Sequence, residues 1–233
     1  MRLFMLLGLV VGLSLGLKGA PATPTPAMVL TLDGPVQWLD GSRWRPVELG
    51  QLFGPGDELR CGPAATLLLA LNDASSLALD PGTQVRLTRA GIGDGPGLEL
   101  AAGRLDLLSD PAPGAPDFPI RTSNALVRVQ GRDVQVSAAP DDSEVCVTQG
   151  QALLGDPRWR VDGPVSARQR RRLALGRLWP IEDLSKRAIF ALDDRWARAR
   201  EFHAQRRALW PALLGTPDHA RFLRALKRRQ ARR

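Results

Sequence analysis

Apolar residues alternate with other residues along several short segments of the chain. Leu67, Leu69 and Leu71 occupy every second position, and so do Val127 and Val129. In an extended chain every second side chain points to the same side, so these segments predict strands with one buried face. Pairs that contain Gly, Asn or Asp punctuate the segments and predict tight turns at Asp40-Gly41, Asn72-Asp73, Pro81-Gly82 and Gln149-Gly150.

Two of these segments repeat one another. Residues 98–105 and 145–153 each run as a strand, a three-residue turn that ends in Gly103 or Gly150, and a second strand. The repeat favours a mainly β domain of stacked hairpins or short β-solenoid coils. An ordinary β-sandwich fits the same alternation.

The period of the apolar pattern changes near the C-terminus. Apolar residues there recur mostly three or four apart, which predicts a helix with an apolar stripe made of Ile189, Leu192, Trp196, Ala199, Phe202, Leu209 and Leu213. Ser185 or Asp183 is a candidate cap for its start, and Thr216-Pro217 predicts the start of a second helix. We therefore interpret residues 185–233 as a helical extension and residues 156–184 as a connector, with a candidate helix at 166–178.

Charge divides the chain in the same place. The net charge of +8 combines 9 Arg with 16 acidic residues in 28–155, and 21 basic with 8 acidic residues in 156–233. The basic extension fits an anionic surface, such as phospholipid headgroups, or an acidic envelope protein. Its candidate binding residues are Lys227, Arg228, Arg229, Arg232 and Arg233. A solvated face of helices that pack on the β-domain is the plainer alternative, and export argues against nucleic acid.

The N-terminus predicts export. Arg2 precedes an apolar run from Leu3 to Leu17, which is shorter than the roughly 20 residues of a membrane span. Residues 1–22 are therefore predicted to be a secretory signal, with Ala20-Pro21-Ala22 as one cleavage site, and the protein is expected to be periplasmic. Lys18 fits a cleavage site poorly, so an uncleaved inner-membrane anchor remains an alternative.

A longer pattern carries a family resemblance. The stretch from Gly54 to Cys61 contains Gly56, Asp57, Leu59 and Arg60, and it resembles the core of the FecR-type periplasmic β-domain. The resemblance covers residues 28–155 and also includes Gly103, Thr122, Gly131 and Gly150 as structural motif residues. Ala74, Cys61 and Arg132 depart from it, since the family has Gly, Thr and Thr there.

The resemblance implies a β-fold and a non-enzymatic role as an envelope binding, scaffolding or sensory module. Signal-relaying members of the family contact a sigma factor through a cytoplasmic segment ahead of their membrane helix. Because only Arg2 separates Met1 from the apolar run, we expect this chain to lack that segment. A peptidoglycan or glycan binder, using an aromatic platform of Trp38 and Trp44, and a membrane-peripheral adaptor are the alternatives. Core packing is the favoured role for both tryptophans.

Catalytic chemistry has little support in the sequence. The two histidines, His203 and His219, lie in the helical region outside any metal-binding motif, so we expect no metal, no cofactor and no enzymatic activity. Cys61 and Cys146 both fall in predicted strands. In an oxidising compartment they are compatible with a disulfide, and two separately buried thiols are the alternative.

Overall fold

The computed structural model describes residues 27–71, 75–89, 96–109, 117–158, 160 and 162–207. In chain order the first nine strands are β1 (Ala27–Asp33), β2 (Val36–Asp40), β3 (Arg43–Pro46), β4 (Leu52–Phe53), β5 (Glu58–Cys61), β6 (Thr66–Ala70), β7 (Ser76–Leu79), β8 (Gln84–Arg89) and β9 (Pro96–Leu108). The remaining elements are β10 (Phe118–Arg121), β11 (Leu126–Val129), β12 (Asp133–Ala139), β13 (Asp142–Gln149), β14 (Gln151–Gly155), β15 (Asp162–Ser166), β16 (Gln169–Ala174), β17 (Arg177–Leu178), β18 (Glu182–Asp183) and α1 (Lys186–Arg207).

The strands form two sheets that share β9. The first sheet has the order β4-β1-β6-β7-β9-β12-β13-β16, with β17 and β18 along the far side of β16. The second has the order β3-β2-β5-β8-β9-β10-β11-β14-β15. Pairing is antiparallel in the described residues except between β9 and β10, which fits hairpins better than the parallel coils of a solenoid.

Strand β9 changes sheet at a bend. Ala102 still pairs with Gln84 of the second sheet, whereas Gly103 pairs with Ala138 of the first. Gly103 has a φ of +93°, a conformation that glycine adopts at little cost. A Cβ atom at this position would lie 2.5 Å from the Cα of Thr83, so the close approach of the two segments also requires glycine.

One hydrophobic core lies between the inner faces of the two sheets. The first sheet contributes Leu67 and Val134, and the second contributes Leu59, Val127 and others that alternate in the same way. The mainly β fold expected from period-two alternation is therefore confirmed.

The expected connector at 156–184 is wrong, and so is its candidate helix at 166–178. Strand β15 pairs with β14 and strand β16 pairs with β13, so both sheets continue past residue 155. Gly163, Val165 and Leu173 are buried by this pairing. The arginine run at 170–172 belongs to a strand near the sheet edge, where both faces can carry polar side chains.

Helix α1 begins at Lys186, and the hydroxyl of Ser185 before it accepts a hydrogen bond from the Ala188 N–H at 3.2 Å. Trp196 of α1 is buried on the outer face of the first sheet against Met28, Leu30 and neighbouring apolar side chains. Among the described residues, no helix is both long and apolar enough to span a bilayer. The second expected helix and the N-terminal segment lie outside the described residues.

Candidate functional site

The Gly56-Asp57 motif forms the turn that leads into β5. Gly56 has a φ of +102°, and its N–H donates to the carbonyl of Leu87 at 2.8 Å. The Asp57 carboxylate accepts a hydrogen bond from the Gly54 N–H at 2.7 Å, which closes the turn. Leu59 follows in the strand and is fully buried. The motif thus joins two strands, and its carboxylate is used within the fold.

Thr122 lies in a buried hydroxyl network between β10 and β13. Its hydroxyl is 2.7 Å from the hydroxyl of Ser143, and it accepts a hydrogen bond from the Ala125 N–H at 2.9 Å. Asn124 extends the network, since its amide donates to the carbonyl of Leu173 at 3.0 Å. Thr122 therefore links the second sheet to β13 and β16 of the first sheet.

A polar row crosses the outer face of the first sheet. Asp106 of β9, Gln135 of β12, Cys146 of β13 and Arg170 of β16 are successive cross-strand partners. Gln135 donates a hydrogen bond to the Asp106 carboxylate at 2.7 Å, and Asp106 is fully buried. The neighbouring inward-facing residues belong to the core, so the row lies on the side that receives α1.

Trp196 of α1 lies over the start of this row, and its indole is near enough to Asp106 to act on the pKa of that carboxyl group. Burial raises the pKa of Asp106 to about 6, while Gln135, Trp196 and the positive charge of Arg104 oppose that rise. Asp133 raises the pKa further through its negative charge. The indole ring of Trp196 thus packs α1 against the first sheet and covers the buried carboxyl group of Asp106.

At the far end of the row lies a basic edge that we call the arginine edge, residues 168–183. Two of its arginines form ion pairs. Arg170 donates to Glu182 at 2.8 Å through Nε, and Arg172 donates to Asp142 at 2.6 Å through Nε. Trp179 stands beside them with its ring centroid 5.6 Å from the Arg172 guanidinium carbon. This edge therefore combines exposed arginines with exposed apolar side chains. The polar side chains of Asp57 and Thr122, in contrast, form hydrogen bonds within the fold.

Most of the motif residues lie in a segment that matches a known protein family. Residues 57–153 match the model of the FecR protein family. This segment is a FecR domain. The match begins at the turn before β5 and ends within β14, so β1 to β4 and β15 to β18 extend the sheets of the FecR domain on both sides.

Two solved structures are similar to part of this chain. They are crystal structures, at 2.50 Å and 1.65 Å resolution, of a protein from Parabacteroides distasonis ATCC 8503 assigned as an anti-sigma factor. Each is 18% identical to this chain with a TM-score of 0.49, and the alignments cover 60% and 57% of this chain. The chain matches 63% of the length of that protein in both cases. No curated protein sequence matches the chain.

The expected disulfide is absent, because Cys61 and Cys146 are both buried free thiols. Cys61 faces the core from the second sheet, whereas Cys146 lies on the outer face of the first sheet between Val145 and Val147, which face the core. Packed sheets are about 10 Å apart, and disulfides need Cα atoms within about 7 Å. The two cysteines of the FecR domain thus lie on opposite sides of a sheet.

The tryptophans before the FecR domain pack against its strands. Trp38 contacts Phe53 with ring centroids 5.8 Å apart and packs against the core, as its favoured role predicted. Arg60 lies over the Trp44 ring at 4.0 Å from its centroid, and it donates to the Gln37 side chain at 2.9 Å. Arg60 therefore covers the ring that a flat glycan-binding platform would expose.

Several expected site residues lie outside the described part of the chain. They are Lys227, Arg228, Arg229, Arg232 and Arg233. His219, for which no role was expected, also lies outside it, and nothing is described of the His203 side chain. Within the described residues, no group of three His, Cys, Asp or Glu side chains is arranged to hold a metal.

Sequence reasoning missed two features, one inside the FecR domain and one after it. The buried Asp106 leaves little signal in the sequence, since alternation places a polar residue between Leu105 and Leu107 in an ordinary strand, and Trp196 is 90 residues away. The arginine edge had a clearer signal, since Leu175-Gly176 between two basic segments is a hairpin turn candidate.

Proposed function

We propose that this protein is an exported, non-enzymatic FecR-domain protein that acts as a binding or sensory module of the cell envelope. The observation that carries the proposal is the FecR domain at residues 57–153. Its position behind an N-terminal segment with the pattern of a secretory signal supports an extracytoplasmic site of action.

The way the domain uses its polar groups supports a binding role. Asp57 closes a turn, Thr122 bridges two sheets and Asp106 lies beneath Trp196. Each of these groups is engaged inside the fold. The arginine edge, by contrast, presents exposed arginines beside exposed apolar side chains, which suit contact with another surface.

Export is the first point to test. Alkaline phosphatase fused after residue 233 is active only when it is exported, so we expect an active fusion. Val10→Arg places a charge in the apolar run of residues 3–17 and should abolish phosphatase activity, because the signal must be apolar. Ser14→Ala, in the same run, is the matched control and should retain it.

An inactive wild-type fusion, with the intact protein recovered from the cytoplasm, would contradict the proposal. Equal activity in the Val10→Arg and Ser14→Ala fusions would show that this segment does not direct export.

A further inference from the structure

Exposed large apolar side chains are concentrated in one short part of the described chain. Leu175 is 82% exposed, Trp179 50%, Ile181 41% and Phe190 71%. The remaining one, Leu52, lies far away in sequence on β4. Isolated exposed apolar residues are ordinary, whereas several in one segment indicate a surface that contacts something.

The backbone at Leu175 strengthens this reading. Leu175 and Gly176 have φ values of +51° and +71° in the turn that joins β16 to β17. Two-residue turns of this kind favour Asn-Gly, since both positions need positive φ. Leucine is costly in that conformation, and a side chain exposed to this degree gains little from burial in return. A contact with another molecule therefore explains a leucine at position 175 better than a role in folding does.

Basic residues are frequent in the same part of the chain. Residues 168–187 contain seven Lys or Arg and two acidic residues. Arg170 and Arg172 are paired with Glu182 and Asp142. The others that project from this region, Arg168, Arg177, Lys186 and Arg187, have no acidic partner among the residues the structure describes. The surface thus carries a positive charge that the described part of the protein does not neutralise.

Trp179 is held in place at this surface while its ring stays half exposed. The backbone N–H of Trp179 donates to the backbone carbonyl of Arg172 at 2.8 Å. The backbone carbonyl of Trp179 accepts a hydrogen bond from Arg171 Nε at 3.1 Å. A tryptophan with its backbone fixed and its ring facing outward loses little freedom on binding. Tryptophan is also the residue that favours the boundary between water and lipid, where an apolar ring and a polar N–H are both accommodated.

We propose that the arginine edge, together with Lys186 and Arg187 at the start of α1, docks the protein on the surface of an anionic phospholipid bilayer. Leu175 and Trp179 enter the headgroup region, and Arg168, Arg177, Lys186 and Arg187 face the lipid phosphates. An anionic bilayer matches both properties of the edge, since surface binding draws on apolar contact and on charge attraction together. The inference rests on the proposed envelope role, and it involves residues other than 227–233.

The test is flotation of the purified full-length protein with vesicles of mixed phosphatidylglycerol and phosphatidylcholine, and with vesicles of phosphatidylcholine alone. We expect binding to the anionic vesicles that weakens at high salt, because screening reduces the charge attraction. Arg177→Gln should lower the partition coefficient about fivefold, which corresponds to the contribution of one basic residue near the surface. Arg121→Gln, at an exposed arginine of β10, is the matched control and should leave it unchanged.

Leu175→Gly separates the docking role from folding. Glycine suits the positive φ at this position, so the variant should fold at least as stably as the wild type while its partition coefficient falls. Trp179→Ala should lower it as well, whereas Leu52→Ser, at the exposed leucine of β4, should not.

The proposal is overturned if the wild type does not float, or if it floats equally with phosphatidylcholine alone. It is also overturned if Leu175→Gly, Trp179→Ala and Arg177→Gln bind like the wild type, which would assign the binding to another surface. Because the vesicle assay uses purified protein and the fusion assay reports export in cells, failure of either proposal is recognised separately.

Discussion

The Cα atom of Gly150 occupies the space where a side chain on Gly131 would begin. A Cβ atom on Gly131 would lie 2.6 Å from it, and a Cβ atom on Gly150 would lie 2.5 Å from the Cα of Gly131. The two glycines bring the segment before β12 against the turn between β13 and β14. Backbone atoms form the contact on both sides, so no side chain can move aside to relieve an added methyl group.

Gly131→Ala should therefore destabilise the protein. Overpacking in a closed site costs about 1–3 kcal/mol, and here the backbone itself must move. A lower urea midpoint with an unchanged slope is the expected result. Gly54→Ala is the control, because a Cβ atom there would have no neighbour within 4 Å. Equal midpoints for the two variants would contradict the close contact.

Asp106 should make stability depend on pH. Its pKa is about 6 in the folded protein and 3.8 as an ordinary carboxyl, so between these values the folded state binds more protons than the unfolded state. The free energy of unfolding therefore falls as pH rises through this window, and above it the buried charge is a net cost. Two pKa units correspond to about 3 kcal/mol at most.

Asp106→Asn keeps the shape and the acceptor of the Gln135 hydrogen bond and removes the titration. We expect this variant to exceed the wild type in the free energy of unfolding at about pH 8, and the difference to vanish at about pH 4. Urea denaturation across this range measures the difference, in which the titration of other groups cancels. A constant difference at all pH values would show that burial does not shift this carboxyl group.

Trp196 should hold α1 against the first sheet. It is buried among Met28, Leu30, Leu68, Ala70 and Leu108, and removing a buried tryptophan side chain costs about 3–5 kcal/mol. Trp196→Ala should speed amide hydrogen exchange in α1 more than in the sheets, since the helix can detach while the core remains. Phe190→Ala alters an exposed ring of the same helix and should leave exchange unchanged. Equal protection of α1 in both variants would assign its docking to other residues.

Both cysteines should remain unreactive in the folded protein. Burial raises the pKa of Cys61 and the pKa of Cys146 to about 12, so neither forms the reactive thiolate near neutral pH. A maleimide reagent should label neither thiol under native conditions and both after denaturation without reductant. Failure to label the denatured, unreduced protein would instead reveal a disulfide.

The sequence predicted the β-fold because alternate positions of its strands face the core between the sheets. Leu67, Leu69, Val127 and Val129 are buried as their alternation predicted, and the FecR motif lies where the resemblance put it. Glycine positions were also informative, since close contacts and positive φ leave few other choices of residue.

The strands after residue 155 were missed because the edge of a sheet relaxes the alternation. Arg170 and Arg172 point to the outer face and pair with acids on neighbouring strands, while Arg171 reaches the backbone carbonyls of Pro164 and Trp179. The proposed disulfide failed for a different reason. The sequence places both cysteines in strands, but the side of the sheet that each one faces depends on register and on which sheet the strand joins.

Strand β9 pairs with β8 and β10 in one sheet and with β7 and β12 in the other. Any division of the chain between the two layers would therefore break β9 or remove strands that pair with it. The two layers should therefore melt in a single cooperative transition. A fragment that begins after Leu108 would lack the strand on which β12 pairs, and with it the template for the rest of the first sheet.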